Sequence, residues 1–161
     1  LTSEEAAIRV EQSIKKTIEE GAKCLVGGTR VNGTFIEPTI LVDVTPAMTV
    51  ARQEVFGPVA PIMTFATEEQ AIDIANDTIY GLQAGVFTKD VTRAFRVARQ
   101  LEAGGVVVNW GTCWRPGNVP FGGYKQSGLG REGVYHTIEE MTELKTIILN
   151  MVERYSDSHQ G

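Results

Sequence analysis

Residues 83–108 constrain the fold more than any other stretch of this chain. Residues 83–88 read as a strand, and Asp90 stands where a helix cap belongs. The helix that follows carries Ala94, Phe95, Val97, Ala98 and Leu101 inward, and Gly104-Gly105 then releases the β-branched run Val106-Val107-Val108. An apolar run without polar alternation predicts a strand covered on both faces. Two strands joined through a helix run parallel, because a parallel pair needs a long crossover. The same order appears upstream, with 59–65 as a buried strand and 67–76 as a capped helix turning Ala71, Ile74 and Ala75 inward, closed by Gly81. The expected fold class is therefore α/β, built on a parallel βαβ sheet.

The flanks add local elements. Ser3-Glu4-Glu5 opens like a helix cap, and Ala6, Ala7, Val10, Ile14 and Ile18 recur at helical spacing as far as Gly21, a natural stop. Cys24-Leu25-Val26 reads as a short strand ended by Gly27-Gly28. Asn32-Gly33 is a turn signal, and 34–44 is expected to be extended with a break at Pro38. Beyond Val108 the pattern lapses over 109–130, a loop too long for an idle connection. Residues 132–140 read as a helix, 144–151 as a final strand and 153–161 as a polar tail. The sequence contains no internal repeat.

Charge and composition narrow the function. Hydrophobic residues make up 42% of the chain, which suffices for a core. Fifteen basic residues stand scattered against 20 acidic ones, for a formal net charge of -5, so nucleic acid is not an expected partner. No apolar run approaches the roughly eighteen residues of a membrane helix, and Leu1-Thr2-Ser3-Glu4-Glu5 does not read as a signal peptide. A soluble, cytoplasmic protein with no membrane partner is expected. Cys24 and Cys113 are too few for a disulfide framework or a zinc site, and no metal site is expected. The start at Leu1 is expected of a piece of something longer.

Several motifs compete for a role. Gly128-Leu129-Gly130-Arg131-Glu132-Gly133 matches the dinucleotide fingerprint letter for letter, yet no apolar strand precedes it, which the fingerprint requires. His136 and His159 leave little for a Ser-His-Asp triad. Gln53-Glu54-Val55-Phe56-Gly57-Pro58 is more informative: in an extended segment Glu54 and Phe56 project to one side and Val55 to the other. A carboxylate beside an aromatic suits a ligand with hydroxyls at one end and a flat ring at the other. The same residues also suit a plain strand-entry turn. Trp110, Trp114, Phe121 and Tyr124 crowd the long loop around Arg115. They could wall a pocket in which Arg115 reads a carboxylate or phosphate, or they could fill an interface with another chain.

The box from Glu54 to Pro58 is followed by Asn76-Asp77-Thr78-Ile79-Tyr80-Gly81-Leu82, Val86-Phe87-Thr88 and Gly105-Val106-Val107-Val108-Asn109. Pro120-Phe121-Gly122-Gly123-Tyr124-Lys125-Gln126-Ser127-Gly128 and Gly130-Arg131-Glu132-Gly133 come next. In order and spacing these boxes resemble the C-terminal part of the NAD(P)-dependent aldehyde dehydrogenases. In that family a cysteine thiolate attacks the aldehyde, hydride passes to the nicotinamide, and an activated water releases the acid.

The resemblance implies that Glu54 accepts hydrogen bonds from the nicotinamide ribose and that Phe56 packs beside the nicotinamide of NAD or NADP. Phe121 and Trp110 are implied to contact a small aldehyde, with 110–119 shaping substrate choice, and Arg115 is expected, as the loop's central cation, to read an acidic substrate group. Glu132 is similar to a buried carboxylate near the active site that assists proton transfer. Residues 1–142 then correspond to an incomplete catalytic domain, 143–151 to an oligomerisation strand through which the chain forms a homo-oligomer, and 152–161 to a tail. Arg131 and Glu143 are expected to meet near that interface.

The family's nucleophile lies farther upstream of the Glu-x-Phe-Gly-Pro box than Glu54 has residues ahead of it. Neither Cys24 nor Cys113 stands in its context. The chain alone is therefore expected to be inactive, and a non-catalytic self-association module is the alternative reading.

Overall fold

The computed structural model describes residues 1–150. Helix α1 (Glu4–Glu19) begins where Ser3 predicts, with the Ser3 hydroxyl accepting from the Ala6 N–H at 3.2 Å. Its buried face is Ala7, Val10, Ile14 and Thr17. Thr17 takes the place expected of Ile18, because its hydroxyl donates to the Ser13 carbonyl at 2.7 Å and accepts from the Val50 N–H at 3.2 Å. A buried hydroxyl with both roles filled carries no unmet polar cost.

Strands β1 (Lys23–Val26), β2 (Arg30–Asn32), β3 (Phe35–Ile36) and β4 (Thr39–Val42) follow, with β2 and β3 forming the hairpin that Asn32-Gly33 signals. A short helix α2 (Thr49–Arg52), not expected from the sequence, leads through the Glu54 box to β5 (Val59–Pro61). It is held by the Glu20 carboxylate, which accepts from the Thr49 N–H at 2.7 Å and the Thr49 hydroxyl at 2.6 Å. Strand β4 pairs antiparallel with β1 and parallel with β5. The core lies between this sheet and α1, formed by Val10, Ile14, Ala22, Leu41, Val44, Met48 and Val50.

The second half contains α3 (Glu68–Asn76), β6 (Tyr80–Gly81), β7 (Gln83–Val86), α4 (Val91–Gln100), β8 (Gly105–Val108), β9 (Tyr124–Lys125) and α5 (Val134–Glu140). Thr67 and Asp90 cap α3 and α4 as expected, and β7 and β8 pair in parallel across α4. The fold is α/β, but its strands form mixed and separate sheets rather than one parallel sheet, since β6 pairs antiparallel with β9.

Burial also departs from expectation. Ile72 is the buried residue of α3, in place of Ala71, Ile74 and Ala75, and Ala94 that of α4, while Phe95 is exposed. Strand β5 is shorter than the 59–65 run and largely exposed, and Val106 to Val108 are only half-covered or exposed. Covering both faces of such strands takes packing layers beyond those present among the described residues. Residues 142–150 have no regular secondary structure, so no final strand forms there. A strand needs a neighbouring strand to pair with, and among the described residues no strand pairs with this segment. Met151 and the 152–161 tail lie outside the described residues.

Helices α3 and α4 are tied by one carboxylate. Glu68 accepts from Arg96 Nε at 2.6 Å and Arg93 Nε at 2.9 Å. The Arg96 hydrogen bond, followed by that of Arg93, holds the Glu68 carboxyl at about 2. A folded-state value below the usual 4.5 gives stability that is present above that value and lost as pH falls toward 2. Glu68→Gln is therefore expected to flatten the acid limb of an unfolding-versus-pH curve in that window. An unchanged limb would show that the pair contributes nothing.

Candidate functional site

The Glu54 box sits on the edge of the core. Val55 packs against it, whereas Glu54 is exposed and Phe56 is 75% exposed, but the segment is not the extended one expected. Phe56 adopts φ 50, a left-handed backbone that costs a non-glycine residue roughly 1–2 kcal/mol. The box is pressed onto α1: a Cβ on Gly57 would lie 3.0 Å from both Val10 methyl carbons. Arg9 Nη1 adds a hydrogen bond to the Glu54 main-chain carbonyl at 3.3 Å. These contacts present Glu54 at the wall of a cleft of about 340 Å³, shared with Tyr80, Gln83, Glu102 and Ser127. Among the described residues, no cation pairs with the Glu54 carboxylate, so its acceptor positions are open.

Tyr80, Gln83 and Ser127 were not singled out from the sequence as site residues. They reach the cleft through the β6–β9 pairing and through Ser127 Oγ, which accepts from the Gly81 N–H at 2.9 Å. Two sequence boxes more than forty positions apart meet there. Asn76 braces the same corner, its amide donating to the Gln100 carbonyl at 2.8 Å and accepting from the Glu102 N–H at 2.9 Å. Lys125 completes it, with Nζ on the Asn76 carbonyl at 2.7 Å and Glu102 at 2.6 Å.

A second group of side chains forms on the long loop. Asn109, with φ 56, clamps the loop's start: its side chain accepts from the Thr88 N–H at 2.8 Å and donates to the Thr88 carbonyl at 2.9 Å. At the other end Phe121 and Glu132 exchange backbone hydrogen bonds of 2.9 and 2.6 Å. Glu132 is thus a bridge residue ahead of α5, not part of the helix. Arg115 joins this bridge. Its Nη2 donates to Glu132 Oε2 at 2.6 Å, and its guanidinium carbon lies 4.1 Å from the Phe121 ring centroid.

Three of the expected site residues therefore stand together. The Glu132 carboxylate is exposed rather than buried, because the bridge leaves it beside Arg115 at the surface. Trp110 is exposed at the end of β8, its carbonyl near Gly85. Arg131 and Glu143 form no ion pair among the described residues. Arg131 Nη1 is occupied by the Gly123 and Gly130 carbonyls at 3.1 and 2.7 Å, and its guanidinium lies over Tyr124. Cys113 is exposed, and Cys24 Sγ lies 3.3 Å from the Val26 carbonyl. Among the described residues, no cluster could hold a metal ion, and no helix is long and apolar enough to cross a membrane.

The chain is similar in sequence and fold to known proteins. The 3-sulfolactaldehyde dehydrogenase of Priestia aryabhattai is 48% identical over 145 residues, covering 90% of this chain and 30% of that protein. The crystal structure of a Mycobacterium tuberculosis aldehyde dehydrogenase complexed with NAD+ is similar at a TM-score of 0.88 and 44% identity. It covers 94% of this chain and 32% of that one. Glyceraldehyde-3-phosphate dehydrogenase GapN of Methanocaldococcus jannaschii, complexed with NADP, gives 0.87 and 47%, covering 92% and 32%. The chain spans about 30% of the length of the curated relatives it matches. The family model described as "Aldehyde dehydrogenase family" matches residues 1–147, and with the ordered boxes and the shared fold this shows that the chain belongs to the aldehyde dehydrogenase family.

Proposed function

We propose that this chain supplies the ribose grip and the substrate-reading loop of a longer enzyme that oxidises an aldehyde to a carboxylic acid with NAD or NADP. The observation that carries the reading is the outward pair Glu54 and Phe56, fixed by Val55 in the core and by the left-handed Phe56 backbone. The residues fit the cofactor. Glu54 offers a carboxylate unpaired among the described residues to ribose hydroxyls at a cleft of about 340 Å³, and Phe56 offers an exposed ring face to a flat heterocycle. The cofactor, when bound, supplies the hydride acceptor. This chain's own part is to hold the ribose at Glu54, to position the ring against Phe56, and to orient the aldehyde through the loop.

Charge-assisted hydrogen bonds of this type contribute about 1.5–3 kcal/mol. Glu54→Gln in the longer enzyme is expected to lower kcat/KM for the cofactor by about ten- to a hundredfold, from that range. Unchanged cofactor binding and turnover would refute the grip.

The aldehyde we infer is anionic. Arg115 is the cation at the centre of the loop, and two of the similar proteins are named for a sulfonated and a phosphorylated aldehyde. Glu132 is retained in the proposal as a carboxylate near the reacting group that can pass a proton.

A second reading, self-association, is favoured by residues 142–150. Leu144, Ile147, Ile148 and Leu149 are exposed there without regular structure, as a strand awaiting a partner edge would be. Glu143, exposed beside them, is the polar residue proposed for that contact. Light scattering after size exclusion tests it: a clean monomer counts against assembly through this segment.

A further inference from the structure

We propose that Glu132 is a displaceable occupant of Arg115, so that an anionic substrate group must exchange with the Glu132 carboxylate to reach the guanidinium. This rests on the reading of Arg115 as the residue that recognises the substrate's anion. It adds that Glu132 sets how strongly anionic aldehydes are favoured over neutral ones.

The geometry has three parts. First, the 2.6 Å contact between Arg115 Nη2 and Glu132 Oε2 is their one hydrogen bond, which leaves most of the guanidinium's five donors for another acceptor. A carboxylate, sulfonate or phosphate with free approach can take the two-pronged arrangement that this contact lacks. Second, within this chain the partners are open to solvent, with side-chain exposures of 42% for Arg115 and 68% for Glu132. Exposed pairs of this kind are screened and contribute little net stability, so an incoming anion displaces a weak competitor.

Third, the cation does not depend on Glu132 for its position. Its guanidinium carbon sits 4.1 Å from the centroid of Phe121, and Phe121 is fixed to Glu132 by backbone bonds that survive the loss of the side-chain contact. Arg115 can therefore change acceptors without leaving the loop. A neutral aldehyde gains nothing from the exchange.

The test uses the intact longer enzyme and compares KM for 4-oxobutanoate, which carries a carboxylate, with KM for butanal, which does not. The readout is the ratio of the two. A proton-transfer role for Glu132 lowers kcat for both aldehydes and leaves that ratio alone. Glu132→Gln, which keeps the size and removes the charge, is expected to lower the anionic-to-neutral KM ratio by about two- to fivefold, the scale of an exposed pair. Glu132→Asp withdraws the carboxylate by one methylene and is expected to move the ratio in the same direction, which covers the case in which the Gln variant folds poorly.

In an Arg115→Gln background both changes are expected to have no effect on the ratio. If Arg115→Gln raises the ratio but neither Glu132 variant lowers it, Glu132 is not a competitor and this proposal falls, with the anion reading intact. If Arg115→Gln leaves the ratio unchanged, the anion reading falls and takes the proposal with it.

Discussion

Replacing Gly104 with alanine is expected to cost about 3 kcal/mol of folding stability, at the upper end for overpacking. A Cβ at this position would run into the Gly122 carbonyl, with the Gly123 Cα only 3.3 Å away. Both obstacles are backbone, so no side-chain rotation relieves the clash, and either β8 or the 120–123 segment must move. Movement of that segment would carry Phe121 with it and displace Arg115 from the Phe121 ring. The variant should therefore show a lower denaturation midpoint and, on the proposed role of Arg115, a weaker preference for anionic aldehydes in the longer enzyme. Gly111 and Gly117 make the natural controls, because a Cβ at either meets nothing within 4 Å. Their alanine variants are expected within about 0.5 kcal/mol of the parent. If Gly104→Ala is as mild as these controls, the close approach does not hold the loop.

Ile14→Ala is expected to cost about 2–5 kcal/mol, the range for emptying a buried aliphatic site. Ile14 is fully buried in the cluster that also holds Val10 and the sheet residue Leu41, against which Val55 and Val59 pack. The cavity would open in the cluster on which Val55 of the Glu54 box packs, so on the proposed cofactor role of that box cofactor affinity should weaken along with stability. Ile8→Ala, on the 37% exposed side of the same helix, should change either quantity far less. A denaturation series that ranks Ile8 with or above Ile14 would contradict the placement of the core.

The parts of this protein that depend on neighbours in sequence were legible. Ser3, Thr67 and Asp90 cap the helices they were expected to cap, and Glu54 and Phe56 are exposed with Val55 inward between them, although the left-handed backbone at Phe56 departs from the extended segment expected there. What depends on distant partners was not. Nothing local in Tyr80-Gly81 or Tyr124-Lys125 announces that they pair, so Gln83 and Ser127 did not stand out as neighbours of Glu54.

Val106 to Val108 read as a strand buried on both faces, but burial is set by what packs on the strand, and these residues are only partly covered. Glu132 read as the start of a helix. Gly133, with φ 131, interrupts there and leaves Glu132 to bridge Phe121. Arg115 and Glu132 were each assigned a role, yet their contact follows from a loop closure that no periodicity reveals.

That loop is fastened at Asn109 to Thr88 and at Phe121 to Glu132, while Gly111 and Gly117 between those points have open space around them. Such a segment behaves as a cassette. Its interior can be rewritten, lengthened or exchanged for that of another family member with little demand on the β7–β8 pair, the approach of Trp110 and Thr112 to Gly85 being the contact to keep, since both fasteners lie outside the rewritten part. On the proposed substrate-reading role of this loop, selection for a new aldehyde can act on residues 110–119, and an engineer can begin with the same ten positions.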